Sequence, residues 1–361
     1  MNYQLTNFQN QKIPAPFQRR IQPLRLFWLS LTWVSIIGLL FLLFQLWGTG
    51  LSNSQFQQRL ARDFKLIYVN DSIVPTSTVA PRTTVAPPNS AALEAIRKVV
   101  AAEDGAVIAR MTAPSIGMDE YVVEGTSVSN LRSGVGRYRG SAFIGDNGNV
   151  ALAGHRTTYG APFGRINELV PGDQISFATS VGTATYEVIN PTPSLALWGH
   201  AVKSIGNGHA IVEPDDNFVL RDVGDNRLTL TACSPKFSAR ERIVVVARLL
   251  GARNPMLDPL YGIPSPAIIS GDTESPTSTS APLVARVQEG DGQSLTMGLN
   301  GLPNQFAPSV VFGLLALVVL AAISVASNKY GRTIAFSLGL LPFLCSLWLL
   351  FTHLELLLPA Y

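Results

Sequence analysis

The chain has 361 residues, 47% of them hydrophobic and only 14% charged, with a formal net charge of +3. So few charges are unusual in a soluble protein of this length. No basic stripe with interleaved aromatics stands out, which argues against nucleic acid as a partner.

In chain order, residues 1–25 are followed by LFWLSLTWVSIIGLLFLLFQLW (26–47), which carries no charge and is long enough to cross a hydrocarbon core as a helix. A cleaved signal peptide is the alternative. The apolar core is longer than a signal core, and Gly48 to Ser54 make a weak cleavage site, so an uncleaved anchor is expected. Two further apolar runs, 309–327 and 334–354, lie near the end. Lys12, Arg19, Arg20 and Arg25 precede the first run, and Lys329 and Arg332 occupy the turn 328–333 between the last two. The positive-inside rule puts both groups in the cytoplasm. A multi-pass membrane protein follows, with the long middle of the chain and the tail 355–361 outside the cell.

Between the spans, 48–92 opens with Phe56, Leu60 and Phe64 at helical spacing among Gln, Arg and Lys. This predicts an amphipathic stalk helix or a continuation of the membrane helix. The stretch VPTSTVAPRTTVAPPNS then reads as an extended linker, as does 251–308 with its SPTSTSAP. The linkers bracket one domain, 93–250, long enough to bury its own core. Within it, YVVEG, NVALAG, QISFA, ATYEVI, RLTLTA and RIVVVARL are short apolar runs separated by Gly, Pro, Asn and Asp. The expected class is mainly β, a closed barrel or a sandwich.

Chemistry is confined to a few residues. Of two cysteines, Cys345 lies inside an apolar run, which removes a disulfide and leaves Cys233 as a small core residue or a reactive thiol. Of four histidines, His353 lies in the last run and His200 and His209 fall in LWGHAVKSIGNGHA, a segment that reads as a loop insertion. His155 follows the strand-like NVALAG, Cys233 follows RLTLTA, and Arg242 directly precedes IVVVARL with Arg240 two residues earlier. Strand ends converge on one rim of a barrel, where a histidine can move a proton and a guanidinium can steady a thiolate or an oxyanion. A zinc site is disfavoured, because paired ligand spacing is missing.

Three segments, VVEGTSVSNLRSGVGRY, GDNGNVALAGHRTTYGAPFGRINELVPGDQI and LTLTACSPKFSARERIVVVA, come in the order found in the sortases. The domain resembles these membrane-anchored cysteine transpeptidases of Gram-positive bacteria, with HRTTYGAPF and CSPKFSARER nearest to the class E-like actinobacterial group. The resemblance implies a closed β-barrel, with Cys233 as nucleophile, His155 as proton donor and Arg242, rather than Arg240, as the arginine. It implies Thr231, Ala232, Arg156 and Tyr159 as substrate contacts, and no cofactor. The implied reaction cleaves an LPxTG- or LAxTG-like sorting motif of a surface or pilin protein through a thioacyl enzyme. The acyl group then passes to an amine of lipid II or a pilin lysine. The same fold could act mainly as a hydrolase when no acceptor amine binds, and Ala232, standing where the family usually has Thr, keeps open a silent adaptor that only binds sorting signals.

Overall fold

The computed structural model describes residues 23–70, 102–191, 202–251, 295 and 301–358. The linker at 74–90, most of the second linker, His200 and the first 22 residues lie outside the described residues. Among the described residues, three helices are long and apolar enough to cross a membrane, one near the N-terminus and two at the C-terminal end.

Helix α1 (Pro23–Leu43) belongs to a unit of its own. Its hydroxyls turn back onto the helix, Thr32 Oγ1 donating to Trp28 O and Ser35 Oγ to Leu31 O, both at 2.9 Å. Such self-satisfaction is what a polar side chain needs in hydrocarbon.

The second unit begins at Phe44. Helix α2 (Thr49–Asn70) precedes strands β1 (Val107–Ala113) and β2 (Met118–Glu124), the short helix α3 (Val128–Ser133), and strands β3 (Val135–Arg137) and β4 (Asn149–Ala153). Then come β5 (Gln174–Thr179), β6 (Gly182–Val188), β7 (Ser204–Ile205), β8 (Ala210–Val212), β9 (Arg227–Ser234) and β10 (Glu241–Leu249). Helices α4 (Phe306–Tyr330) and α5 (Arg332–Leu357) form a hairpin that turns at Gly331.

The ten strands form one sheet in the order β6-β5-β1-β2-β3-β4-β9-β10-β8-β7, and a further β6–β10 pairing closes eight of them into a barrel. Closure is possible because β10 is shared. Its Ala247–Leu249 end pairs with β6, while its Arg242–Val244 end pairs with β8. Two pairs are parallel, β2–β3 and β4–β9, and the rest are antiparallel. A fork-to-fork pair of Arg137 and Glu124, at 2.8 Å on both arms, pins the β2–β3 register where the two residues face each other.

Alternation along the strands sorts side chains into two populations. The barrel interior holds Leu228, Leu230 and Ala232 of β9 with Ile243, Val245 and Ala247 of β10. The outer face carries a second cluster that includes Val244, Val246, Leu131 and Tyr138. Outside the barrel, α2 lays Leu60 and Phe64 on Val107 and Val123, with the Phe64 and Tyr121 rings 5.6 Å apart. The amphipathic stretch predicted around Phe56 is therefore a docked helix, whose apolar stripe is covered by the sheet.

Candidate active site

Strands β9 and β10 bring the thiol and one arginine together directly. In their antiparallel register Arg242 is the partner of Cys233. Both are buried, Cys233 at 2% and Arg242 at 3% exposure. Arg240 is exposed and precedes the first residue of β10, so it does not share the buried strand face. The sequence alone left these two arginines two residues apart on one candidate strand.

His155 lies two residues past the end of β4, which runs parallel to β9 with Ala153 opposite Thr231. Gly154 N–H still donates to Thr231 O at 3.2 Å. Continued by two residues, that register sets His155 level with Cys233. His155 is 1% exposed, and its backbone carbonyl accepts from Phe163 N–H at 3.0 Å, which closes the loop behind it. The next residue, Arg156, donates from Nη1 to Cys233 O at 3.1 Å and from Nη2 to Asn167 Oδ1 at 3.1 Å.

A pocket beside the thiol is lined by Thr231, Ala232, Cys233 and Arg242, together with Leu131, Tyr138, Ala153 and Gly154. Leu295 also lines it, from the segment between the barrel and the hairpin. This leucine is 2% exposed. Its carbonyl accepts from Arg242 Nε at 3.2 Å, and its N–H donates to Asn217 Oδ1 at 2.8 Å. Arg242 is otherwise held by Nη1, which donates to Ala239 O and Glu241 O, both at 2.9 Å.

Electrostatics favours a protonated resting thiol. Burial pushes the Cys233 thiol up, while Arg242 and Arg156 pull it the other way. Burial likewise pushes the Tyr138 phenol up to about 12, so its O–H stays a neutral partner for Thr231 Oγ1 at 3.0 Å. Thr231 Oγ1 also lies 3.2 Å from Leu152 O.

The expected substrate contacts divide. Thr231 faces the pocket, on the same side of β9 as Cys233. Ala232 touches the pocket, but its side chain packs with the barrel interior. Arg156 holds the backbone of Cys233 instead of lining the pocket, and Tyr159 is 3% exposed with its ring 5.0 Å from that of His155. His209 sits in the β7–β8 turn, where its carbonyl accepts from Gly206 N–H at 2.8 Å. Tyr138, Leu131, Asn217 and Leu295 escaped the sequence reading. Of these, Tyr138 in GVGRY follows the apolar Val135 at a strand start and was within reach of it.

Residues 111–250 match the family model described as Sortase domain. The chain is 33% identical to Sortase D of Bacillus subtilis (strain 168) over 134 residues, covering 37% of this chain and 57% of that protein. It is 32% identical to Sortase SrtE1 of Streptomyces coelicolor over 114 residues, covering 29% of this chain and 28% of that protein. It therefore spans less than two thirds of the length of either relative. Among solved structures, a Clostridium perfringens Sortase D5 transpeptidase covers 55% of this chain and 99% of its own at 22% identity, with a TM-score of 0.40. Sortase E from Streptomyces avermitilis covers 41% of this chain and 91% of its own at 29% identity, with a TM-score of 0.34. Over residues 111–250, the greater part of the barrel, this chain is thus similar to the Sortase domain family.

Proposed function

We propose that the chain is a membrane-anchored cysteine transpeptidase acting on sorting signals outside the cell. The observation that carries this reading is the direct cross-strand pairing of Cys233 with Arg242, both buried, with His155 brought level by the parallel β4–β9 register. The Cys233 Sγ attacks the carbonyl carbon of the Thr in an LPxTG- or LAxTG-like motif, and its proton passes to His155. The Thr–Gly C–N bond breaks, and the glycine amine leaves with the proton that His155 returns. The thioester is then attacked by an acceptor amine, from a cell-wall precursor or a pilin lysine, and C–S cleavage restores the thiol.

Arg242 suits the oxyanion because a planar guanidinium offers two parallel donors. One of its donors is on the Leu295 carbonyl. A substrate carbonyl that uses this donor has to take the place of Leu295.

The outer ends of the C-terminal hairpin lie on the barrel side, since Leu302 N–H donates to Leu356 O at 2.8 Å and Arg132 of α3 reaches Glu355. The Gly331 turn is a helix length away, roughly 35–40 Å. This supports a topology with the Lys329–Arg332 turn in the cytoplasm and the barrel outside.

The test uses the full chain in detergent micelles with a fluorogenic sorting-motif peptide. His155→Ala should lower kcat/KM by about a hundredfold or more, and His209→Ala should leave it within about twofold. Equal losses at both would point to structural damage and remove His155 from the chemistry.

A further inference from the structure

The mechanism above gives the C-terminal hairpin no part beyond anchoring, yet α5 carries a carboxylate that hydrocarbon does not explain. Glu355 is the one acidic residue in α5, and it is 7% exposed. An acid near the end of a spanning helix is expensive unless a partner meets it. Its partner is Arg132 of α3, with Nη2 at 3.3 Å from Oε2 and both side chains largely buried, at 13% and 8% exposure.

Arg132 in turn lies over the ring of Tyr159, its Cζ 5.0 Å from the centroid. That ring packs against His155 at 5.0 Å and an interplanar angle of 39°. Three successive contacts thus run from the end of the hairpin to the histidine of the site. The Tyr159 hydroxyl is buried without a hydrogen-bond partner among the described residues, so the contacts of its ring and backbone are what orient this side chain.

The surrounding elements are arranged to hold this stack. Helix α2 presents Thr49, Asn53 and Gln57 at intervals of four, on one face. Thr49 Oγ1 accepts from Tyr159 N–H at 3.2 Å, Asn53 Nδ2 donates to Arg132 O at 3.3 Å, and Gln57 Nε2 donates to Ser133 O at 2.7 Å. Gly160 follows Tyr159 with φ of 76°, and a Cβ there would fall 2.6 Å from Asn53 Oδ1, so the loop approaches α2 as closely as only glycine permits. At the other end, His353 Nδ1 lies 2.8 Å from Gln305 Oε1 and stacks on Phe312 at 4.9 Å, which ties the end of α5 to the start of α4.

We infer that Glu355 and Arg132 are positioning residues for His155: the hairpin carboxylate neutralises Arg132, and Arg132 fixes Tyr159 against the imidazole. A buried guanidinium stripped of its counter-charge is strongly disfavoured where it stands. Without Glu355 the side chain turns toward water, Tyr159 loses the cation above its ring, and His155 loses its backing. The hairpin is in this sense part of the active-site scaffold as well as an anchor.

This inference rests on the role given to His155 above, and its test separates the two. In the full chain carrying Cys345→Ser, the pH dependence of Cys233 alkylation by iodoacetamide reports the imidazole beside the thiol without any substrate. Turnover of the motif peptide is measured in parallel. Glu355→Gln and Arg132→Met should each shift the alkylation profile toward that of His155→Ala and lower kcat about tenfold, with KM changed little. Glu355→Asp should restore most of both. Should Glu355→Gln fail to insert, Arg132→Met and Glu355→Asp still decide the matter. Wild-type profiles for Glu355→Gln and Arg132→Met, in a protein whose His155→Ala variant is altered, would overturn the inference alone. An unaltered His155→Ala profile would instead remove the reading on which it rests.

Discussion

Two faces of the same two strands do opposite jobs. On β9 and β10 the inward residues Leu228, Leu230, Ala232, Ile243, Val245 and Ala247 fill the barrel, while Cys233 and Arg242 share the outer face with Thr229 and Thr231. Adjacent positions differ by one step of the pleat, so the proposed nucleophile Cys233 sits beside a core residue and takes its rigidity from it. The difference teaches where the chemistry comes from. The inner face is self-sufficient, whereas the outer face needs α3, Leu295 and the β4 loop to complete it.

The comparison is sharpest at neighbouring residues. Arg242→Lys keeps the charge but loses the fork. It should slow thioacyl formation by about 2–4 kcal/mol in the activation barrier, with the fold kept and a smaller loss of stability, about 1 kcal/mol, from its bonds to backbone carbonyls. Arg240→Lys should be silent in both measurements. Ile243→Ala, one residue on, should reverse the pattern, costing about 2–4 kcal/mol of stability while the rate per folded molecule stays near wild type. If both variants lost rate and stability to the same extent, the two faces would not be separable.

An exception on the inner face offers a third probe. Glu120 pairs with Met111 across β1 and β2 and shares its strand face with Met118 and Val122 of the interior. Burial pushes its carboxyl up to about 7, and the nearby Asp119 adds to the effect. Its Oε2 is buried without a hydrogen-bond partner among the described residues. A raised folded pKa means that the native state binds the proton more tightly. Its contribution is full below the ordinary carboxylate pKa and is lost as pH rises through about 7. Glu120→Gln should therefore leave stability unchanged near pH 4 and raise it by about 1–2 kcal/mol near pH 8, read by chemical denaturation. Stabilisation of the same size near pH 4 would contradict the assignment.

The smallest effect belongs to the outer face. Leu295→Ala removes the side chain that buries this segment against the pocket and so weakens the contact that occupies Arg242. The initial rate with dilute peptide should rise by roughly three- to tenfold, through a lower KM. A fall in rate would make Leu295 part of the binding wall and not its occupant.

The strands of the inner face were the most legible part of the sequence, because alternation and β-branched runs such as RIVVVARL have one reading. Strand β1 was not, since Arg110 and Thr112 interrupt VIARMTA. Arg110 is satisfied outside by a salt bridge to Asp119, which a sequence window does not display. LWGHAVKSIGNGHA read as an insertion, and yet Ala210–Val212 at its end forms β8, which pairs with the Arg242 end of β10. Within the site, Cys233, His155 and Arg242 stood out by type and by position at strand ends. Tyr138, Asn217 and Leu295 come from separate segments that only the barrel topology gathers, so no local period marks them. Glu355 did carry a signal, a lone acid at the end of an apolar helix, and its meaning required Arg132 to be seen opposite.

The central claim is that Cys233 on the outer face forms the thioacyl bond. The most direct measurement is intact-protein mass spectrometry of the full chain after rapid mixing with a sorting-motif peptide in the absence of an acceptor amine, followed by peptide mapping. The account predicts a mass increase equal to the N-terminal fragment through Thr, located on the peptide containing Cys233, absent in Cys233→Ala and discharged by an added amine. Cleavage of the peptide without any adduct, or with an undiminished rate in Cys233→Ala, would contradict it.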